Sequence, residues 1–197
     1  MMAARIFARL CAIAVISFAA SAVVRGEQLD RAIPSLGEID AVKRIVLERT
    51  TLAPFSYVMF CQTHPGDCRG GVETTVPWNI VVRMRVASIN RRVNRMIRPR
   101  IEAVDVWSAG TSAGDCEDFA LTKRRALIRA GFPPSSLQMA VARTRHGNGH
   151  AVLMLRTSDG DLVLDNRNDQ LREWYQTDLA WLKIASAENP RIWYAMN

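Results

Sequence analysis

The sequence predicts an α+β fold in which helices come first and an antiparallel sheet follows. Two observations carry that expectation. As far as about residue 130, apolar residues recur at helical spacing; from Leu137 onward they gather in short runs rich in Val, Leu and Met, separated by turn residues. A third observation locates the chemistry. Ala113-Gly114-Asp115-Cys116-Glu117-Asp118-Phe119-Ala120 sets one cysteine among three carboxylates, just before a helical segment. Asp115 is a good N-cap, and Asp118 stands three residues on, where a capping box puts an acid. Cys116 then falls at the first helical position, over the unpaired N–H groups whose field favours a thiolate. The same residues also fit a plain reading, in which two acids cap a helix and the cysteine is a small buried hydrophobe.

The chain of 197 residues is long enough for one domain with a sizeable core. Its start reads as a secretory signal peptide, residues 1–22: Arg5 and Arg9 are basic, residues 10–24 are apolar, and Ala20-Ser21-Ala22 is a small-x-small cleavage site. A membrane anchor is the alternative, for which the apolar run is short. Cleavage leaves residues 23–197 as a single domain. Residues 23–33 read as an arm. Ser35 and Glu38 have capping-box spacing ahead of Ile39, Val42, Ile45 and Val46, which predicts a helix. A short helix starts at Pro54 and carries Cys61 near its end. Thr75-Val76-Pro77-Trp78 opens a longer one, with Ile80, Met84, Ile89, Val93 and Ile97 inside, and Arg98-Pro99 stops it. Residues 100–113 form a long connection of the kind that is more often functional than idle. The Cys116 helix runs to Ala130 with Ala120, Leu121, Leu127 and Ile128 inward and Lys123, Arg125 and Arg129 outward; Gly131 and Pro133-Pro134 end it. Residues 137–144, 150–156 and 161–165 are strands, apolar on both faces and so central, with a turn at Ser158-Asp159-Gly160. Trp174, Trp181 and Trp193 are too scattered for a stacking platform and read as core.

The formal net charge is +7, and only Lys43, Lys123 and Lys183 among the cations are lysine. The arginines are dispersed, and the densest group, Arg91-Arg92-Val93-Asn94-Arg95, would wrap around a helix. That pattern is a solvated face rather than a nucleic-acid interface, and leaves an acidic partner or envelope surface open. Of the four cysteines, Cys11 leaves with the signal. Cys61 and Cys68 form a close pair and Cys116 stands alone, which in an exported protein reads as one disulfide and one free thiol. Zinc held by the close pair with His64 is the competing reading, at a spacing unusual for a zinc knuckle.

The hairpin adds two residues. If the loop is 157–160, Arg156 pairs with Asp161 and Val152 with Asp165, so that His150 and Asp165 are diagonal neighbours on one face. With Cys116 this gives the logic of covalent catalysis: a thiolate attacks a carbonyl, an imidazole carries the proton, and a carboxylate fixes the tautomer.

Gly114-Asp115-Cys116-Glu117-Asp118-Phe119, Gly149-His150-Ala151-Val152-Leu153 and Leu164-Asp165-Asn166 resemble the bacterial transglutaminase-like cysteine proteinases, as do Val93-Asn94-Arg95, Asp105-Val106-Trp107 and the Phe60-Cys61…Cys68-Arg69 segment. The resemblance implies a papain-like α+β fold, the cysteine's helix packed on an antiparallel sheet, and Cys116, His150 and Asp165 as catalytic residues. It also implies a periplasmic location and a protein substrate, such as the surface adhesins that LapG-type members cleave, although the Cys61…Cys68 segment looks more like a branch other than the adhesin-cleaving one. LapG-type members bind calcium through acids that match Asp115, Glu117 and Asp118. Three carboxylates around a nucleophilic thiol would raise its pKa, and a hard cation would cancel that charge. A transamidase shares the acyl-enzyme step, and a non-catalytic calcium-dependent binding module is the alternative outside enzymes.

Overall fold

The computed structural model describes residues 43–196. The expected signal peptide, the arm and most of the first expected helix therefore lie outside the described residues. The end of that helix does not form: the Ile45 N–H donates to Asp161 Oδ2 at 2.9 Å, and this tie holds the segment beside the sheet.

Among the described residues, nine strands and three α-helices follow in order: β1 (Thr50–Thr51), α1 (Phe55–Thr63), α2 (Ile80–Met96), β2 (Arg98–Pro99), β3 (Ala113–Gly114), α3 (Cys116–Arg129), β4 (Leu137–Arg143), β5 (Gly149–Thr157), β6 (Gly160–Leu164), β7 (Arg172–Glu173), β8 (Ala180–Ala185) and β9 (Trp193–Ala195). Seven strands make one sheet in the order β1-β9-β8-β4-β5-β6-β7, every neighbouring pair antiparallel. The helix-then-sheet expectation holds, and β4, β5 and β6 are central with apolar residues on both faces. Leu153, Leu155 and Leu164 face a core shared with all three helices, while Val152, Met154 and Val163 face a second core with Ile45, Leu179 and Met196. Trp193 is fully buried; Trp174 and Trp181 only flank the second core.

Two helices depart from their expected course. Helix α2 starts later than the Thr75 signal, because Val76 is taken up by β5: its N–H donates to the Arg156 carbonyl at 3.0 Å and its carbonyl accepts from Ser158 N–H at 2.8 Å. Asn79 then caps the helix, accepting from Val82 N–H at 3.0 Å. The buried stripe of α2 is Val86, Ile89, Val93 and Ile97, and Ile80 and Met84 are exposed. Helix α3 was expected to point Lys123 outward, yet Lys123 and Arg124 are both buried. The helix lies between the sheet and α2, so residues from Glu117 to Arg124 are covered on every side. Its end is as expected, with Gly131 at φ 89° allowing the chain to leave in a left-handed turn.

Cys61 and Cys68 are bridged, with their Cα atoms 5.5 Å apart, which excludes the zinc reading. His64 instead stacks on Phe60 at 4.8 Å. Arg124 fastens this turn to the domain: its guanidinium donates to the Asp67 carbonyl, to the Arg69 carbonyl at 2.7 Å and to the Leu137 carbonyl at 3.0 Å. Iodoacetamide should therefore leave Cys61 and Cys68 unmodified in non-reduced protein. Replacing both by alanine should lower stability by about 2 kcal/mol, the entropy of a short closed loop. Peptide mapping and denaturant titration measure the two.

Candidate active site

The hairpin β5–β6 turns through Ser158 and Asp159, with Thr157 opposite Gly160 and Arg156 opposite Asp161. This is the register in which His150 and Asp165 share a face, and His150 Nε2 lies 2.9 Å from Asp165 Oδ1 in a buried contact. Helix α3 brings its first residue to the same strand. Cys116 Sγ accepts the Ala151 N–H at 3.3 Å, so the sulfur rests against the residue that follows His150. The three residues singled out from the sequence thus come together from one helix start and two adjacent strands.

Asp165 is held on both oxygens. Oδ1 accepts the Arg167 N–H at 2.9 Å, and Oδ2 accepts from the Arg167 guanidinium at 2.8 and 3.0 Å. Burial opposes ionisation of this carboxyl, but the His150 and Arg167 hydrogen bonds outweigh it and hold the group well below the usual carboxylate range. The Asp165 carbonyl accepts from Asn94 at 3.2 Å, and Asn94 also reaches Asp169 Oδ1 at 2.9 Å. From beneath, Lys123 Nζ donates to the Leu164 carbonyl at 3.3 Å. Sequence reasoning missed Arg167 and Lys123. Arg167 had a signal, since an aspartate readily accepts the backbone N–H two residues on. Lys123 had none, because a cation carries no mark of burial.

The acids around the thiol separate into two groups. Asp118 accepts the Ser108 N–H at 2.7 Å and the Asp115 N–H, which is the backward half of a capping box. It packs so closely on Gly114 that a Cβ there would lie 1.8 Å from its Oδ2, which is why β3 ends in glycine. Asp115 occupies the N-cap position but makes no side-chain cap; its carboxyl turns to Glu117 instead, and its Oδ1 is buried without a partner among the described residues. Glu117 Oε2 accepts the Cys116 thiol proton at 3.2 Å. Burial and then the Asp115 hydrogen bond push Glu117 up to about 8. Burial and then the Glu117 charge push the Cys116 thiol up to about 12. Burial also pushes Asp118 up to about 6, with the Asp115 and Glu102 charges adding to it. The helix N-terminal field is thus outweighed, and these surroundings favour the thiol over the thiolate. Among the described residues, no set of three or more His, Cys, Asp or Glu side chains converges as metal ligands.

The long connection is laid along α3 by residues one turn apart: Ser108 N–H on Asp118, Gly110 N–H on Thr122 Oγ1 at 2.8 Å, and the Ala109 carbonyl on Arg125 at 2.7 Å. It is not idle structurally, because it supplies the partners of polar side chains on α3.

A sequence model of the family described as bacterial transglutaminase-like cysteine proteinase BTLCP matches residues 47–197. None of the curated proteins matches the chain. Among solved structures, calcium-bound Legionella pneumophila LapG is similar at 23% identity and a TM-score of 0.52, over 58% of this chain and 69% of that one. A second structure of Legionella pneumophila LapG is similar at 24% identity and a TM-score of 0.51, with the same coverage. These likenesses speak to the fold, a helix-borne cysteine packed on an antiparallel sheet.

Lys123 offers a test of the buried wiring. Burial lowers its pKa from 10.5 to about 7, against the opposing pull of Asp165 and Asp169. Between those values the unfolded chain holds a proton that the folded chain lacks, so stability rises with pH across that window. Lys123→Met should flatten this rise, and chemical denaturation at a series of pH values from 7 to 10 reads it directly.

Proposed function

The chain belongs to the bacterial transglutaminase-like cysteine proteinases, and on that premise we propose that Cys116, His150 and Asp165 form the triad of an exported endopeptidase. As a member of that family it is a cysteine peptidase of the transglutaminase-like superfamily. The observation that carries the triad is the joint placement of the Cys116 sulfur against β5 and of His150 on Asp165.

Asp165 stays ionised and accepts a hydrogen bond from the Nε2–H of His150, which leaves Nδ1 as the base for the thiol. Nδ1 accepts the Cys116 proton as the sulfur attacks the scissile carbonyl carbon. The resulting imidazolium returns the proton to the leaving amine, and a water activated by the same nitrogen hydrolyses the acyl-enzyme. The Cys116 N–H, at the positive end of α3, is placed to stabilise the oxyanion. The apparent signal peptide and the Cys61–Cys68 bridge support export, and no helix among the described residues is long and apolar enough to cross a membrane. The family resemblance favours a periplasmic or surface protein as substrate, a surface adhesin being one candidate.

Calcium belongs to this reading. Asp115 and Glu117 fit a hard cation, since one Asp115 oxygen is buried and unpartnered and Glu117 is crowded by its neighbour. Asp118, bound to two backbone N–H groups, orders the loop beside them. One similar structure is calcium-bound. The ion would cancel carboxylate charge beside the thiol. Glu117 would then no longer need the Cys116 proton, which becomes free to pass to His150.

Cys116→Ala should abolish peptide release from a mixture of unfolded proteins, and Asp165→Asn should lower it by about two to four orders of magnitude. Mass spectrometry of the products reads both variants, and cross-linked products in place of cleaved ones would make the enzyme a transamidase. Chelation should depress activity reversibly, with magnesium a poor substitute because of its tight octahedral geometry. Glu117→Gln should shift the activity curve to higher free calcium, and superimposable curves for the two proteins would leave the acids without a metal role.

A further inference from the structure

Beside Asp165, a cavity of about 340 Å³ opens between the β4–β5 loop, the end of β6 and β7. Three guanidiniums and two carboxylates line it: Arg145, Arg167, Arg172, Asp165 and Asp178. Arg167 takes both acids, reaching Asp165 Oδ2 at 2.8 Å and Asp178 Oδ1 at 2.8 Å. The Arg145 and Arg172 guanidiniums have no hydrogen bond or ion pair with any described residue, although the Arg145 charge is felt at Asp178. The cavity therefore carries one surplus positive charge on two uncommitted guanidiniums.

We infer that this cavity is a carboxylate-binding subsite that seats an acidic side chain of the polypeptide substrate. The inference rests on the protease reading above. Arg145 stands in the loop that leads into β5, and Arg172 on β7 is paired with Val163 of β6, the strand that ends just before Asp165. Both cations thus adjoin the segments that carry His150 and Asp165, and Asp165, the partner of His150, itself lines the cavity. The volume suits a small ligand group. A single carboxylate matches a single surplus charge, and a guanidinium pairs with it through two parallel hydrogen bonds. A denser polyanion would meet Asp165 and Asp178, and no aromatic ring lines the cavity to stack a nucleobase.

The test uses Cys116→Ala protein, which binds without turnover, and three fluorescent probes: a peptide with two glutamates, its two-glutamine counterpart, and an oligonucleotide. Anisotropy should show the glutamate peptide binding about tenfold more tightly than the glutamine one, the effect of a charge-assisted pair. Arg145→Gln with Arg172→Gln should erase that preference. Arg91→Gln with Arg92→Gln, which removes the same charge from the exposed face of α2, should keep it. The inference is overturned by a preference that survives the cavity variant, by one lost equally in the α2 control, or by an oligonucleotide that binds as tightly at the same arginines. Displacement of the peptide by equimolar free glutamate would make this a site for a soluble carboxylate and overturn the substrate role. A peptide-library digest by the wild-type protein separates the two readings. Cleavage without enrichment of Asp or Glu near the scissile bond removes the subsite and leaves the protease. Absence of any cleavage removes the protease, and the binding arm still decides whether the cavity takes a carboxylate.

Discussion

Helix α3 is polar in sequence and buried in fact, and the site depends on how that conflict is resolved. A buried polar group costs free energy unless it is hydrogen-bonded, so each such side chain on the helix must find a partner. The partners are the backbone of other segments. Asp118 and Thr122 take N–H groups of the long connection, Arg124 takes carbonyls of the disulfide turn and of the β4 start, and Lys123 takes the carbonyl just before Asp165. The helix that carries Cys116 is therefore also the strut that places the connection, the bridge and the end of β6. A polar satisfaction problem and a positioning problem share one solution.

How much of this was legible follows from which physical signals survive in a sequence. The hairpin register was legible because side chains alternate between faces with period two, so a loop length alone put His150 beside Asp165. The start of α3, its glycine exit and the Cys61–Cys68 pairing were legible from local rules of the same kind. Lys123 was misread as outward because apolar periodicity records where hydrophobic residues recur and is blind to a cation that finds a carbonyl inside. The α2 boundary moved because Val76 had a better partner in β5, a long-range contact that overrides a local turn signal. Asp115 sits at the expected N-cap yet caps nothing with its side chain, since its carboxyl is drawn to Glu117. The α+β class was legible in outline; the wiring beneath the β5–β6 hairpin was not.

The electrostatics of the two halves of the site run in opposite directions. Around Asp165, hydrogen bonds from Arg167 and His150 overcome burial and keep a charge in place. Around Cys116, burial and neighbouring acids keep charge out, and the thiol is tied to Glu117. One half holds a charge and the other excludes one.

The pairing of β1 with β9 joins residues 50–51 to residues 193–194. Trp193 on β9 packs edge-on against Tyr57 at 5.3 Å, and Tyr57 packs in the same manner on Trp107, which lies in the connection beside the cysteine. A run of aromatic rings thus leads from the last strand to that connection. Contacts so distant in sequence form late, because a long loop must close before they contribute. A chain emerging amino end first from a ribosome or a translocation channel carries Cys116, His150 and Asp165 well before Trp193. The hairpin can pair during that interval, but the connection lacks this aromatic backing. The last strand is thus a support for the connection, from the far end of the sequence.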